Sequence, residues 1–270
     1  MVDRGGLGQA GSVALWIAAL LIVLAVVAWQ WWVDTTHPKQ GDVVVSGQTV
    51  TYRFLRSGPS GEPLRVTIAA PEELSGNLRW RPHPGEEAFE SLTMLRDGEQ
   101  LVGFLPSRPP GDRLEYSLVL AGPSGLTWIP ADGTIVVQFQ GPVPRFVLVP
   151  HIAILLLTIL VGVRAALGAV WALPDAGRLS MLTLAGMTVG GMILGPIVHK
   201  LALGAFWTGW PFGSNWGANS TVVMWLVWVV AVLAARAAQD VTDRFARTTV
   251  VGAALVTIVV SLVPRGLLGD

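Results

Sequence analysis

The chain has 270 residues, of which 52% are hydrophobic and 13% charged, and its formal net charge is zero. A soluble domain carries about 25% charged residues, so the composition points to a membrane protein, and the charge balance removes any global attraction to nucleic acid. Cysteine is absent, which excludes disulfides, thiolate metal sites, iron–sulfur clusters and covalently attached c-type haem.

A helix that crosses a bilayer needs about 20 mostly apolar residues. The run from Ser12 to Val33 meets this requirement. It is too long for the apolar core of a signal peptide and ends in Trp29, Trp31 and Trp32 where a cleavage site would show small residues. Residues 1–33 are therefore expected to be a retained N-terminal transmembrane anchor.

Residues 34–145 differ in character, with mixed charges, frequent Pro and Gly, and alternating apolar positions. Val50, Tyr52 and Phe54 alternate, as do Leu64, Val66 and Ile68. Leu78 and Trp80 follow, then a strand from Phe89 to Leu95, a turn at Arg96–Glu99 and a strand over Gln100–Leu105. Leu114, Tyr116, Leu118 and Leu120 continue the pattern, and Thr134–Phe139 closes it. Seven or eight short strands at this spacing predict an all-β, immunoglobulin-like sandwich. Leu114-Glu115-Tyr116, after Pro-Pro-Gly-Asp, is placed where a tyrosine corner would sit. The densest polar cluster is Arg79, Arg81, His83, Glu86, Glu87 and Glu90. Its spacing matches no metal motif, so no metal site is expected there.

Residues 146–270 are expected to form a four-helix transmembrane domain, with spans near Phe146–Leu167, Leu179–Phe206, Thr221–Ala238 and Thr248–Pro264. The fold class is thus a membrane bundle of about five helices plus the β-sandwich. With a cytoplasmic N-terminus, Arg164, Arg178, Arg236, Arg244 and Arg247 fall inside and only Arg145, Lys200 and Arg265 outside, which agrees with the positive-inside rule. The β domain and the loop 204–220 then lie outside the cytoplasmic membrane. No Asp or Glu sits near the middle of a span, which argues against ion-coupled transport.

Three features of this half stand out. His151 and His199 come at similar depth on successive spans, and two such imidazoles could hold a b-type haem; the simpler reading is that each ring reaches the interface or a neighbouring carbonyl. Gly186, Gly190, Gly191 and Gly195 make two overlapping small-xxx-small pairs, a face for close helix packing, and Pro196 behind them predicts a kink. In the loop, Trp207, Trp210, Pro211, Phe212 and Trp216 form an aromatic cluster among glycines, suited to an interfacial anchor or a docking surface.

The run GGMILGPIVHKLALGAFWTGWPFG (190–213), with FLPSRPPGDRLEYSLVL (104–120), VPHI (149–152) and the terminal VPRGLLGD, resembles a bacterial polytopic membrane-protein family of unestablished activity. That family joins an extracytoplasmic immunoglobulin-like domain to a multi-helix membrane part. The likeness covers most of residues 90–270 and implies architecture rather than reaction. In the family, WTGxPFG leads into an acidic DLTDNK-like stretch and the last proline precedes a histidine. Here the positions read SNWGANST and Pro264-Arg265, which removes any charge-dependent or metal-binding role from the loop, whereas His151 matches.

The leading expectation is a non-enzymatic inner-membrane protein without a cofactor. It would contact lipid and partner subunits, as a scaffold or accessory subunit of a larger assembly such as a photosynthetic or respiratory complex. The alternatives are electron transfer through haem b on His151 and His199, and an envelope sensor or solute-binding protein.

Overall fold

The computed structural model describes residues 8–34, 37–238 and 242–264; Arg265 and the terminal GLLGD lie outside them. The chain divides into two compact units, one of helices and one of strands.

Among the described residues five helices are long and apolar enough to cross a membrane: α1 (Gln9–Val33), α2 (Arg145–Val170), α3 (Ala176–Leu203), α4 (Trp216–Ala237) and α5 (Arg244–Leu262); all belong to the helical unit except the end of α3 from Lys200. Polar contacts define its two ends. At one, Arg164 of α2 donates to Asp175, at the start of α3, and to Ser12 in the first turn of α1. Arg247 of α5 caps the last carbonyls of α2, Ala169 and Val170, each at 2.6 Å, where a cation also favours the negative end of the helix dipole. Arg236 of α4 reaches Met181 of α3. At the other end, Trp29 Nε1 donates to the Leu262 carbonyl at 2.9 Å, and Gln30 donates to Ser261 and Val263. Successive helices therefore alternate in direction, and Arg164, Arg236 and Arg247 share one end.

Two indoles tie the middle together. Trp225 Nε1 donates to Thr188 Oγ1 at 2.9 Å, and the fully buried Trp228 donates to Thr257 Oγ1 at 3.0 Å. Each threonine passes its own proton to a carbonyl one turn back, Leu184 and Ala253. Buried indole N–H groups need such acceptors, and these two link α4 to α3 and to α5.

The glycines of α3 pack within this chain. A Cβ on Gly186 would collide with Thr158 Oγ1 of α2, one on Gly190 would come 2.9 Å from Ile154 Cγ2, and one on Gly191 would come 2.7 Å from Thr221 Cγ2 of α4. Gly195 has ordinary spacing, 3.8 Å to His151 Cε1. The expected kink at Pro196 takes another form. Met187–Leu194 is π-helical, and the Gly195 N–H donates to the Gly190 carbonyl five residues back. Pro196 has no N–H to give the Met192 carbonyl, and its ring crowds that oxygen; the wider turn absorbs the conflict.

The strand unit spans Thr36–Val143 and includes Lys200–Ala205. Its described residues form eleven strands in three sheets, numbered in chain order. One sheet is the hairpin of β1 (Lys39–Val45) and β2 (Gln48–Phe54). The largest runs β3 (Ser57–Pro59), β11 (Ile135–Gln140), β9 (Arg113–Gly122), β5 (Ser75–Pro82) and β6 (Glu90–Thr93), with β10 (Gly125–Ile129) beside the second half of β9. The third runs β4 (Leu64–Ala69), β8 (Gln100–Leu105) and β7 (Leu95–Asp97). Alternate residues of all three sheets meet in one core containing Val50, Phe54, Leu78, Leu105, Leu118 and Phe139.

Two expectations are corrected here. The single strand over Phe89–Leu95 is two strands, because the chain turns at the buried Met94 and moves from β5 to β8. Tyr116 is no tyrosine corner. That motif bonds backbone a few residues upstream, whereas the buried Tyr116 hydroxyl donates 2.8 Å to Leu55, 61 residues away, and so joins β9 to the end of β2. Lys200–Ala205 lies against two turns of this unit. Gly141 N–H donates to the Ala202 carbonyl at 2.9 Å, and a side chain on Gly111 or Gly141 would strike the carbonyls of Leu203 or Leu201.

Candidate functional site

The π segment meets His151, and His199 lies beyond it. His151 Nδ1 lies 2.8 Å from the Gly190 carbonyl. A carbonyl only accepts, so Nδ1 carries the proton and Nε2 is left as the acceptor. His199, one turn from the end of α3, has its Nδ1 3.4 Å from Thr208 Oγ1. Both rings are half-buried. The geometry thus gives each ring a local partner on its Nδ1 side. Among the described residues no three His, Asp or Glu side chains converge as metal ligands.

The loop after α3 is held from behind by its own backbone. Trp207 Nε1 donates to the Trp210 carbonyl at 3.0 Å, Trp210 N–H to Asn219 Oδ1 at 2.7 Å, and Asn215 N–H to the Thr208 carbonyl at 3.0 Å. Asn215 also caps α4 by accepting from Ala218 N–H, the expected role of an Asn at this position. The Trp210–Pro211 peptide is cis. Trp210 and Phe212 project outward, 78% and 83% exposed, with Pro211 exposed between them. Trp207 and Trp216 do not share that face: both are half-buried, and Trp216 opens α4. The tip is therefore three residues wide.

The group that sequence reasoning passed over is Arg164. Counted as a cytoplasmic-side charge, it lies inside α2 at 1% exposure. Its Nη2 donates 2.8 Å to Asp175 Oδ2, and its guanidinium stands 5.6 Å from the Trp16 ring. Nε and Nη1 of Arg164, and Oδ1 of Asp175, have no partner among the described residues. The pair packs over Gly168, where a Cβ would come 2.9 Å from Nη1. The spacing Arg164–Asp175 with Gly168 between was visible in the sequence; that α1 covers it was not.

In the strand unit, the cluster seen in the sequence is a stack on the outer face of the large sheet. Arg79 has its guanidinium carbon 4.8 Å from the Phe89 ring and 4.8 Å from the Trp128 ring. Arg81 has its guanidinium carbon 4.4 Å from the same Phe89 ring and bonds Glu115 through Nε. Glu115 is 7% exposed and also accepts from Thr134 Oγ1 at 2.6 Å. Burial pushes its pKa up, but the Thr134 hydroxyl, the Arg81 bond and charge, and the His83 charge outweigh this and hold it below the usual glutamate range. A lowered folded pKa contributes stability that is complete above the unfolded value of about 4.3 and is lost as pH falls through the folded value. Full-chain melts between pH 7 and pH 3 should therefore lose midpoint below about pH 4. Glu115→Gln should start lower at pH 7 and show a flatter profile; parallel profiles would remove Glu115 as the cause.

Compared with known proteins, the chain matches no family model and no curated protein.

Proposed function

We propose that this chain is a non-enzymatic, multi-pass protein of the bacterial inner membrane that serves as a scaffold or accessory subunit of a larger membrane assembly. In this reading the N-terminus is cytoplasmic and the strand unit is an extracytoplasmic, immunoglobulin-like sandwich. Membrane insertion is supported by the outer faces of the helices: only 17% to 33% of each span's most apolar stretch is buried. Water would not tolerate that much continuous apolar surface, but lipid would. Sidedness is supported by Arg164, Arg236 and Arg247 sharing one end, which the positive-inside rule assigns to the cytoplasm.

The observation that carries the subunit role is the tip Trp210–Pro211–Phe212. Its backbone is fixed by the chain's own hydrogen bonds while its rings stay exposed. Preorganised, exposed aromatics are the residues that dominate protein contacts, because little entropy is lost when they are covered. The test is purification from native membranes in mild detergent, with stoichiometry by mass spectrometry. Wild type should carry a stoichiometric partner that Trp210→Ala/Phe212→Ala loses while its melting midpoint stays unchanged. Wild-type protein recovered alone, or equal recovery of the partner in the variant, refutes the docking role.

A second reading is haem-based electron transfer, favoured by one bond: Nδ1–H donation to a carbonyl is how a ligating histidine is oriented, with Nε2 presented outward. The same sample decides it. A reduced-minus-oxidised haem band that His151→Ala abolishes would move the assignment to electron transfer.

A further inference from the structure

Arg79 and Arg81 sit on the same outer sheet face, two residues apart on β5, and each is stacked on Phe89. Across the ladder, Arg81 faces Glu115 and Arg79 faces Ser117. The difference is decisive. Arg81 has an aromatic ring on its face, and its edge is engaged, Nε by the Glu115 carboxylate and Nη1 by the Glu87 carbonyl. Arg79 has the Phe89 and Trp128 rings each 4.8 Å from its guanidinium carbon, but Ser117 opposite is short and buried. Among the described residues Arg79 takes part in no ion pair, and the nearby Glu86, Glu87 and Glu90 are exposed. Stacking covers the faces of a guanidinium and leaves its in-plane N–H groups free. Held this way, the side chain has little rotamer freedom left to lose when an anion arrives.

We propose that the edge of Arg79 is a binding position for an external carboxylate, which takes beside Arg79 the place that Glu115 takes beside Arg81. A carboxylate fits because its two oxygens match the guanidinium fork, and Arg81–Glu115, joined through Nε, is an arginine–carboxylate pair on this same sheet. The carboxylate comes from an acidic polypeptide segment or from a small organic acid.

The test uses the full chain in uncharged detergent, titrated by calorimetry with hexaglutamate and, separately, with succinate; hexaglutamine is the uncharged control. Saturable binding of a carboxylate probe, weakened at least tenfold in Arg79→Gln and Arg79→Lys and unchanged in Arg65→Gln, is the expected result. Lysine keeps the charge without the fork, and Arg65, an exposed arginine on another sheet, controls for charge alone. Binding of hexaglutamate without succinate assigns a polypeptide source; binding of succinate assigns a small acid. No binding of either probe, equal binding in the Arg79 variants, or equal binding of hexaglutamine overturns the site. Melting midpoints of each variant, matched to wild type, confirm that the sheet is intact.

Discussion

Asp175→Ala is expected to destabilise the protein by about 2 kcal/mol, below the roughly 3–5 kcal/mol for breaking a fully buried pair because the Asp175 side chain is 43% exposed. The mutation leaves the Arg164 guanidinium, its side chain 1% exposed, with the Trp16 ring and, as its one hydrogen-bond partner among the described residues, Ser12 at 3.4 Å. A buried charge without its partner is far costlier than the pair itself is favourable. The double variant Arg164→Met/Asp175→Ala should therefore recover most of the loss, since an apolar side chain of similar length suits a site beside Trp16. Denaturation midpoints of the full chain in detergent, followed by circular dichroism, measure both. A double variant no better than the single one would show that Arg164 contributes more through packing than through charge.

Gly186 and Gly252 should respond to alanine in opposite directions. At Gly186 the added carbon meets Thr158 Oγ1 across the α2–α3 contact, and overpacking of this kind costs about 1–3 kcal/mol. At Gly252 of α5 nothing lies within 4 Å of the added carbon, so only the helix propensity changes, a gain of about 0.5–1 kcal/mol. The same unfolding assay should show a lower midpoint for Gly186→Ala and an equal or higher one for Gly252→Ala. Thr158→Ala should rescue the first, because it removes the colliding hydroxyl. Rescue by Thr158→Ala and none by a change elsewhere on α2 would locate the close approach at this pair. A neutral Gly186→Ala would mean that the helices separate at little cost there.

The two largest effects concern residues that the sequence presents very differently. Gly186 belongs to an evident pattern, since small residues at i and i+4 on an apolar run mark a packing face whatever the partner is. The partner is a tertiary fact: α2 receives Gly186 and Gly190, while α4 receives Gly191. Arg164 carried no such mark. In sequence it is one more cation near a helix end, and its meeting with Ser12 and Trp16 of α1 is a tertiary fact.

The strand unit divides in the same way. Alternation located β2, β4, β5, β8, β9 and β11 because a half-buried strand must repeat every second residue. It missed β1, β3 and β10, whose residues are mostly exposed or half-buried. It also could not see that Met94 divides one apolar run between two sheets, since sheet membership depends on which strands lie alongside.

Sequence alone determined five apolar helices and a strand-rich segment, because length, hydropathy and period are local properties of the chain. It also located the aromatic loop, whose glycines and proline announce a turn wherever it lies. Tertiary structure alone decided that Trp210 and Phe212 face out while Trp207 and Trp216 do not, that His151 bonds the Gly190 carbonyl, and that Arg79 is stacked with no carboxylate paired to it among the described residues. The His151–Gly190 bond and the stacking of Arg79 on Trp128 join residues 39 and 49 positions apart, and no local property of the chain encodes such a meeting.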